Sequence, residues 1–99
     1  MKLGLDYDDT YTADPLLWNW FISTALDRGH EVYCVSFRNE ADMDEPRLSL
    51  GRLIGSGSCF GTGGMGKNAF MLKQGVKIDV WIDDCPDAVC RGYEYYQLN

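Results

Sequence analysis

The chain has 99 residues, of which 45% are hydrophobic and 13% aromatic, enough apolar material for one globular domain and too much for a disordered segment. Its net charge of −6 argues against broad, nonspecific binding to nucleic acid or to a membrane surface, which needs clustered Lys and Arg. No run approaches the ~20 apolar residues of a membrane helix, and the first residues lack the pattern of a signal peptide, so a cytoplasmic chain without membrane contact is expected. In chain order, Lys2 to Asp6 reads as a first strand. Asp14 as N-cap and Pro15 at the first helical position open a helix that Gly29 closes, with Leu17, Trp20, Phe21, Thr24 and Ala25 on one face. Glu31 to Ser36 follows as a strand whose continuous apolar centre suits a sheet covered on both faces. Glu45 to Ile54 reads as a modest helix and Ser58 to Gly61 as a weak strand. A helix from Lys67 to Gln74, closed by Gly75, leads to a strand from Asp79 to Ile82. Pro86 opens a short helix, and Tyr93 to Leu98 forms a candidate terminal strand. This alternation predicts an α/β domain with a parallel sheet and right-handed crossovers.

The chemistry concentrates where two of these strands stop. Asp6 and Asp8 are spaced i, i+2 after Lys2-Leu3-Gly4-Leu5, and alternation along extended chain predicts them on the same side. Two carboxylates ~4 Å apart repel by roughly 4 kcal/mol at an effective dielectric of about 20, so such a pair suits a hard cation or a shared proton. The plain alternative is an acidic turn after an edge strand. A second acidic pair, Asp83-Asp84, ends the apolar run Ile78 to Ile82. Ligands of open parallel sheets bind outside the carboxyl ends of the strands, so Asp6, Asp8, Asp83 and Asp84 are expected to converge there. Oxygen-only donors of this kind suit magnesium.

Further residues fit the same mouth. Ser36 ends the second strand, where its hydroxyl can bond a phosphoryl oxygen. Lys67 follows the glycine-rich run Gly61-Thr62-Gly63-Gly64-Met65-Gly66, whose backbone amides can approach an anion closely. Taken singly, each has an ordinary alternative: a surface hydroxyl, a solvated lysine and a flexible turn. Cys34, Cys59, Cys85 and Cys90 show no CxxC spacing, and His30 is the only histidine. Free thiols rather than zinc or disulfides are therefore expected, with Cys34 and Cys59 buried.

In order along the chain, these pieces resemble the haloacid dehalogenase-like phosphohydrolase superfamily, in the short form found in bacteria and phages. Asp6-Tyr7-Asp8-Asp9-Thr10 matches its DxDxT motif, Ser36 its hydroxyl after an apolar strand, Lys67 its helix-start lysine and Asp83-Asp84 its late acidic pair. Asp9 stands where the family usually has glycine, and Tyr11 where an aliphatic residue is common. Lys73 and Lys77 compete for the lysine role, but only Lys67 follows the glycine loop and precedes the helix.

The resemblance implies a three-layer, Rossmann-like, cap-less fold and magnesium-dependent hydrolysis of a phosphomonoester. Asp6 is then the nucleophile and Asp8 the general acid/base. Thr10, Ser36 and Lys67 bind the phosphoryl group, and Mg2+ is held by Asp6, the Asp8 backbone carbonyl and Asp83, with Asp84 assisting. Only Tyr11 to Ala13 and the glycine loop occupy the places where family members insert caps, and neither interval holds a folded unit. Tyr7, Tyr11 and Trp18 are candidates to line the uncovered mouth. Such a mouth favours a phosphorylated macromolecule, or a small substrate enclosed by a neighbouring subunit of a homo-oligomer. The acidic balance disfavours nucleic acid while leaving an end phosphate open. Two other classes compete. A response-regulator receiver uses similar groups, but its acidic pair ends the first strand, an order this chain does not follow. A non-catalytic binding or regulatory protein of the same fold is expected to have lost Asp6 or Asp8, and both are present.

Overall fold

In the computed structural model, which describes residues 1–93, the alternation resolves into one sheet of four short strands. These are β1 (Lys2–Leu5), β2 (Glu31–Ser36), β3 (Cys59–Gly61) and β4 (Val80–Ile82), ordered β3-β2-β1-β4 with every pair parallel. Helix α1 (Pro15–Asp27) connects β1 to β2, and α2 (Asp44–Leu48) and α3 (Gly51–Ile54) lie between β2 and β3. Helix α4 (Lys67–Lys73) returns the chain from β3, at one edge, to β4 beyond β1, and α5 (Asp87–Cys90) follows. Among the described residues, no helix is long and apolar enough to cross a membrane.

Alternation along the strands divides the core between the two faces of the sheet. Leu3, Leu5, Val32, Cys34 and Cys59 pack with Ile22 and Ala25 of α1 and with Leu50. Val35, Tyr33, Phe60 and Trp81 pack instead with Phe70 and Met71 of α4 and with Ile78. Helices therefore flank both faces. Leu5, Ile22, Leu50 and Met71 are fully buried, each contributing on the order of 1.5–3 kcal/mol. Gly4 is the one place in β1 without room for a side chain: a Cβ there would lie 2.7 Å from the Trp81 ring.

Both ends of α1 follow from its sequence. Asp14 accepts a hydrogen bond from the Leu17 N–H at 3.2 Å, with Pro15 at the first helical position. At the other end Gly29 adopts φ +85°; its N–H donates to Leu26 O, and that of His30 to Ala25 O, the double bond of a Schellman stop. The buried face differs from expectation. It runs through Trp18, Phe21, Ile22 and Ala25, while Leu17 and Trp20 are 48% and 68% exposed. Both sets obey the helical period and differ by a rotation of about 100°, one residue. With apolar residues at 16, 17, 18, 20, 21 and 22, period alone does not choose between them.

The single helix expected over residues 45–54 is two, because Ser49 leaves helical geometry at φ −96°, ψ −93°. Its hydroxyl donates back to Glu45 O at 2.8 Å, the local competition with helix bonding typical of serine. The candidate terminal strand falls on residues 94–98, outside the described residues. Tyr93, its first expected member, donates its N–H to Gly64 O at 2.7 Å.

Candidate functional site

The strand ends meet at Lys67. Strand β1 stops at Leu5, but the Asp6 N–H still donates to Ile82 O at 2.9 Å, setting Asp6 beside the end of β4. Lys67, the first residue of α4, is 2% exposed, and its Nζ donates to Asp6 Oδ1 at 2.7 Å and to Asp83 Oδ2 at 2.5 Å. The Phe37 ring lies 5.6 Å from the same ammonium. An ammonium so deeply buried requires counter-charges, and Asp6 and Asp83 supply two. Lys73 and Lys77, the two other candidate lysines, are both exposed.

Thr10 ties in the remaining acid. Its Oγ1 lies 2.9 Å from Asp6 Oδ2 and 3.0 Å from Asp84 Oδ1, and it accepts the Asp84 N–H at 3.0 Å. One hydroxyl proton serves one carboxylate at a time. Carboxylate oxygens of Asp6 and Asp84 lie within 4.8 Å of each other, close enough for like charges to repel and for a proton or a cation between them to be favourable. Burial pushes the Asp6 carboxyl up from 3.8 to about 6, against the opposing pull of Lys67. Asp84 is held below the usual carboxylate range, first by its bond to Asp6 and then by Thr10.

Asp8 does not join this cluster. Beyond Leu5 the chain turns, so the two-residue alternation that predicted Asp6 and Asp8 side by side no longer applies. Asp9 occupies the left-handed region at φ 64°, where Asp is among the L-residues least penalised. The Asp8 carboxylate is turned outward, half exposed, and gripped by Arg38: Nε donates to Oδ2 and Nη2 to Oδ1, both at 2.9 Å. That guanidinium holds Asp8 below the usual carboxylate range. Ser36 is 1% exposed at the end of β2, its Oγ accepting the Arg38 N–H at 3.1 Å. Asp6, Thr10, Lys67, Asp83 and Asp84 thus form one bonded cluster, while Asp8 and Ser36 are joined through Arg38. Sequence reasoning missed Arg38. The available signal was a cation two residues past Ser36, at the mouth of a strongly acidic chain.

Three further expectations change. Tyr7 and Tyr11 do not line the mouth; they are 3% and 5% exposed, stacked with centroids 5.6 Å apart. Their hydroxyls bond Glu45 and Ser49, and Asn19, respectively. Trp18 does border the site, in an open trough of about 410 Å³ with Leu17, Ile82, Asp83 and Asp84. The glycine loop is not a bare anion cradle, because the N–H groups of Gly63 and Met65 donate to Arg38 O and Thr62 O. Gly64, at φ +86°, lies under the Tyr93 ring, where a Cβ would come within 2.1 Å of a ring carbon. Its glycine is needed for that close approach.

The donor set fits a hard divalent cation. One carboxylate oxygen each from Asp6, Asp83 and Asp84 lies within 4.8 Å of the others. Octahedral ligands at ~2.1 Å are separated by about 3 to 4.2 Å, so a small inward movement suffices. No family model matches the chain, and neither does any curated protein or solved structure with which it was compared.

Proposed function

We propose that this chain is a magnesium-dependent phosphomonoester hydrolase of the haloacid dehalogenase-like type, with a minimal three-layer, Rossmann-like, cap-less fold. The observation that carries the reading is the buried Lys67 ammonium bonded to both Asp6 and Asp83, across two strand ends of one parallel sheet. That arrangement unites the first, third and fourth motifs of the resemblance. The loop between β1 and α1 holds only the 3-10 turn Tyr11–Ala13, in keeping with an uncovered site.

In this mechanism an Asp6 oxygen forms a bond to phosphorus as the ester P–O bond breaks, giving an aspartyl-phosphate. Asp8, released from Arg38 and protonated from solvent, gives that proton to the departing oxygen, then takes one from the water whose oxygen displaces Asp6. Lys67 keeps the Asp6 carboxylate oriented, and together with Thr10 and Ser36 it stabilises the charge on the phosphoryl oxygens. Asp6, Asp83, Asp84 and the Asp8 backbone carbonyl would hold magnesium, which would supply charge neutralisation. Asp8 must leave Arg38 to reach the leaving oxygen.

The second reading is a non-catalytic binding or regulatory protein, favoured by that Arg38 grip on Asp8. Assay of phenyl phosphate hydrolysis with magnesium, and again with chelator, separates the two. The enzyme reading expects turnover that chelator removes and that Asp6→Asn and Asp8→Asn each abolish. Wild-type rates in purified Asp6→Asn would sink it.

A further inference from the structure

We infer that Arg38 is the docking fork for a second anionic group on the substrate, vacated when Asp8 turns to the leaving oxygen. This inference rests on the phosphohydrolase reading and names the substrate class it entails: phosphomonoesters carrying another oxyanion near the ester oxygen, a carboxylate or a second phosphate.

Of the two partners in the Arg38–Asp8 pair, Arg38 is the fixed one. Its Nη1 donates to Asp42 O at 3.1 Å and its Nη2 reaches Glu45 Oε2 at 3.4 Å. Its guanidinium carbon lies 5.3 Å from the centre of the Tyr7 ring, which is buried and itself bonded to Glu45 and Ser49. The Arg38 backbone is tied down as well, by the Ser36 hydroxyl and by Gly63, whose N–H donates to Arg38 O at 3.0 Å. Asp8 sits on a loop, half exposed, and its two side-chain hydrogen bonds among the described residues are both to Arg38. When the pair opens, Asp8 moves and the fork stays.

An opened fork is a site of defined chemistry. Two parallel N–H donors match the two oxygens of a carboxylate or phosphate, and that planar match is what distinguishes guanidinium from ammonium. When Asp8 leaves, Nε loses its acceptor and Arg38 keeps only the longer 3.4 Å carboxylate pairing with Glu45 Oε2, so an incoming anion replaces the bidentate partner that was lost. Charge elsewhere at the mouth points the same way. Lys67 is committed to Asp6 and Asp83, and the trough beside Trp18 is bordered by Asp9, Asp14, Asp83 and Asp84. A second anionic group is repelled from that trough and matched on the Arg38 side. A salt bridge with a purely structural role would leave ligand choice unaffected.

The test measures binding of non-hydrolysable phosphonates to the wild-type protein by calorimetry in magnesium buffer. Benzylphosphonate carries one anionic group; 4-carboxybenzylphosphonate and p-xylylenediphosphonate add a carboxylate or a second phosphonate. At least one of the two-anion ligands should bind about tenfold more tightly than benzylphosphonate, and which one does identifies the preferred oxyanion. Arg38→Met should bring that ratio to about one. Should Arg38→Met fail to fold, Arg38→Lys carries the test, because an ammonium lacks the fork and the ratio falls. Asp8→Asn, which frees the fork, should raise the ratio when Arg38 is present and leave it unchanged in the Arg38→Met background. An equal ratio in wild type and the Arg38 variants, or no preference in wild type, overturns the inference. If benzylphosphonate binds and phenyl phosphate is turned over but the preference is missing, the inference alone fails. If no phosphonate binds and nothing is turned over, the phosphohydrolase reading fails with it.

Discussion

Replacing Asp6 by Asn should make the metal-free protein more stable, and by an amount that depends on pH. The Asp6 carboxyl is 8% exposed, and burial, partly offset by Lys67, raises it from 3.8 to about 6. The difference, about 2 units at 1.36 kcal/mol each, corresponds to about 3 kcal/mol. A carboxyl whose folded value lies above its unfolded one stabilises the fold fully below about pH 4, and that contribution is lost as pH rises through about 6. The amide of the Asp6→Asn variant has no proton to lose. In chelator, Asp6→Asn and wild type should therefore be of similar stability at pH 4, with the variant ahead by about 3 kcal/mol at pH 8. For a domain of this size that is a thermal shift on the order of 10–20 °C. Urea denaturation of both proteins at each pH from 4 to 8 reads the gap directly. Saturating magnesium should narrow the gap at pH 8 by stabilising wild type, because binding to the folded state alone adds about 2.7 kcal/mol at one hundred times Kd. A gap that stays constant between pH 5 and 7, or reverses sign, would refute the account of Asp6 as a carboxyl ionised against its surroundings.

Lys67→Met strands Asp6 and Asp83 without their shared cation and should destabilise the protein by about 3–5 kcal/mol in chemical denaturation. Lys67→Met should cost less in the Asp6→Asn background, where one of the two stranded charges is absent, than in wild type. Asp9→Gly, which relieves an L-residue at φ 64°, should stabilise by roughly 0.5–1 kcal/mol after the added flexibility of the unfolded chain is counted. Gly64→Ala, with φ +86° and a Cβ driven into the Tyr93 ring, should cost about 2 kcal/mol or more, read as a lowered urea midpoint. A colorimetric thiol titration should find Cys85 and Cys90 in the native protein, and Cys34 and Cys59 only after unfolding.

The parts of this fold that were legible in sequence are those fixed by local chemistry. Asp14, Pro15 and Gly29 bound α1 because capping, a preset φ and a left-handed stop each act within a few residues. Asp6 and Asp83 could be assigned to one mouth because parallel topology brings strand ends together whatever their separation in sequence. What stayed illegible depends on tertiary geometry. Strand alternation, which predicts Asp8 beside Asp6, ends with β1 at Leu5. The face of α1 was rotated by one residue because nearly every position in its first half is apolar. Arg38 carries no motif of its own; its role appears only when α2 supplies Glu45 and the chain turns Asp8 toward it. The glycine run has the composition of an anion loop, yet Gly64 answers to Tyr93, a neighbour 29 positions later.

The position of β1 has a consequence for how the chain comes together in time. It is synthesised before β2, β3 and β4, yet it lies between two of them, with β2 on one side and β4 on the other. During synthesis its β4-facing edge stays open until residues 80–82 emerge, so Leu3, Gly4 and Leu5 wait with half of their ladder unmade. Closing that edge needs the β3–α4–β4 crossover to span the sheet, a long-range step of the slow kind. The same closure brings Lys67 and Asp83 to Asp6. The proposed active centre therefore forms in one late event, and a stalled chain presents an unpaired strand edge at the moment when it is most able to pair with another molecule.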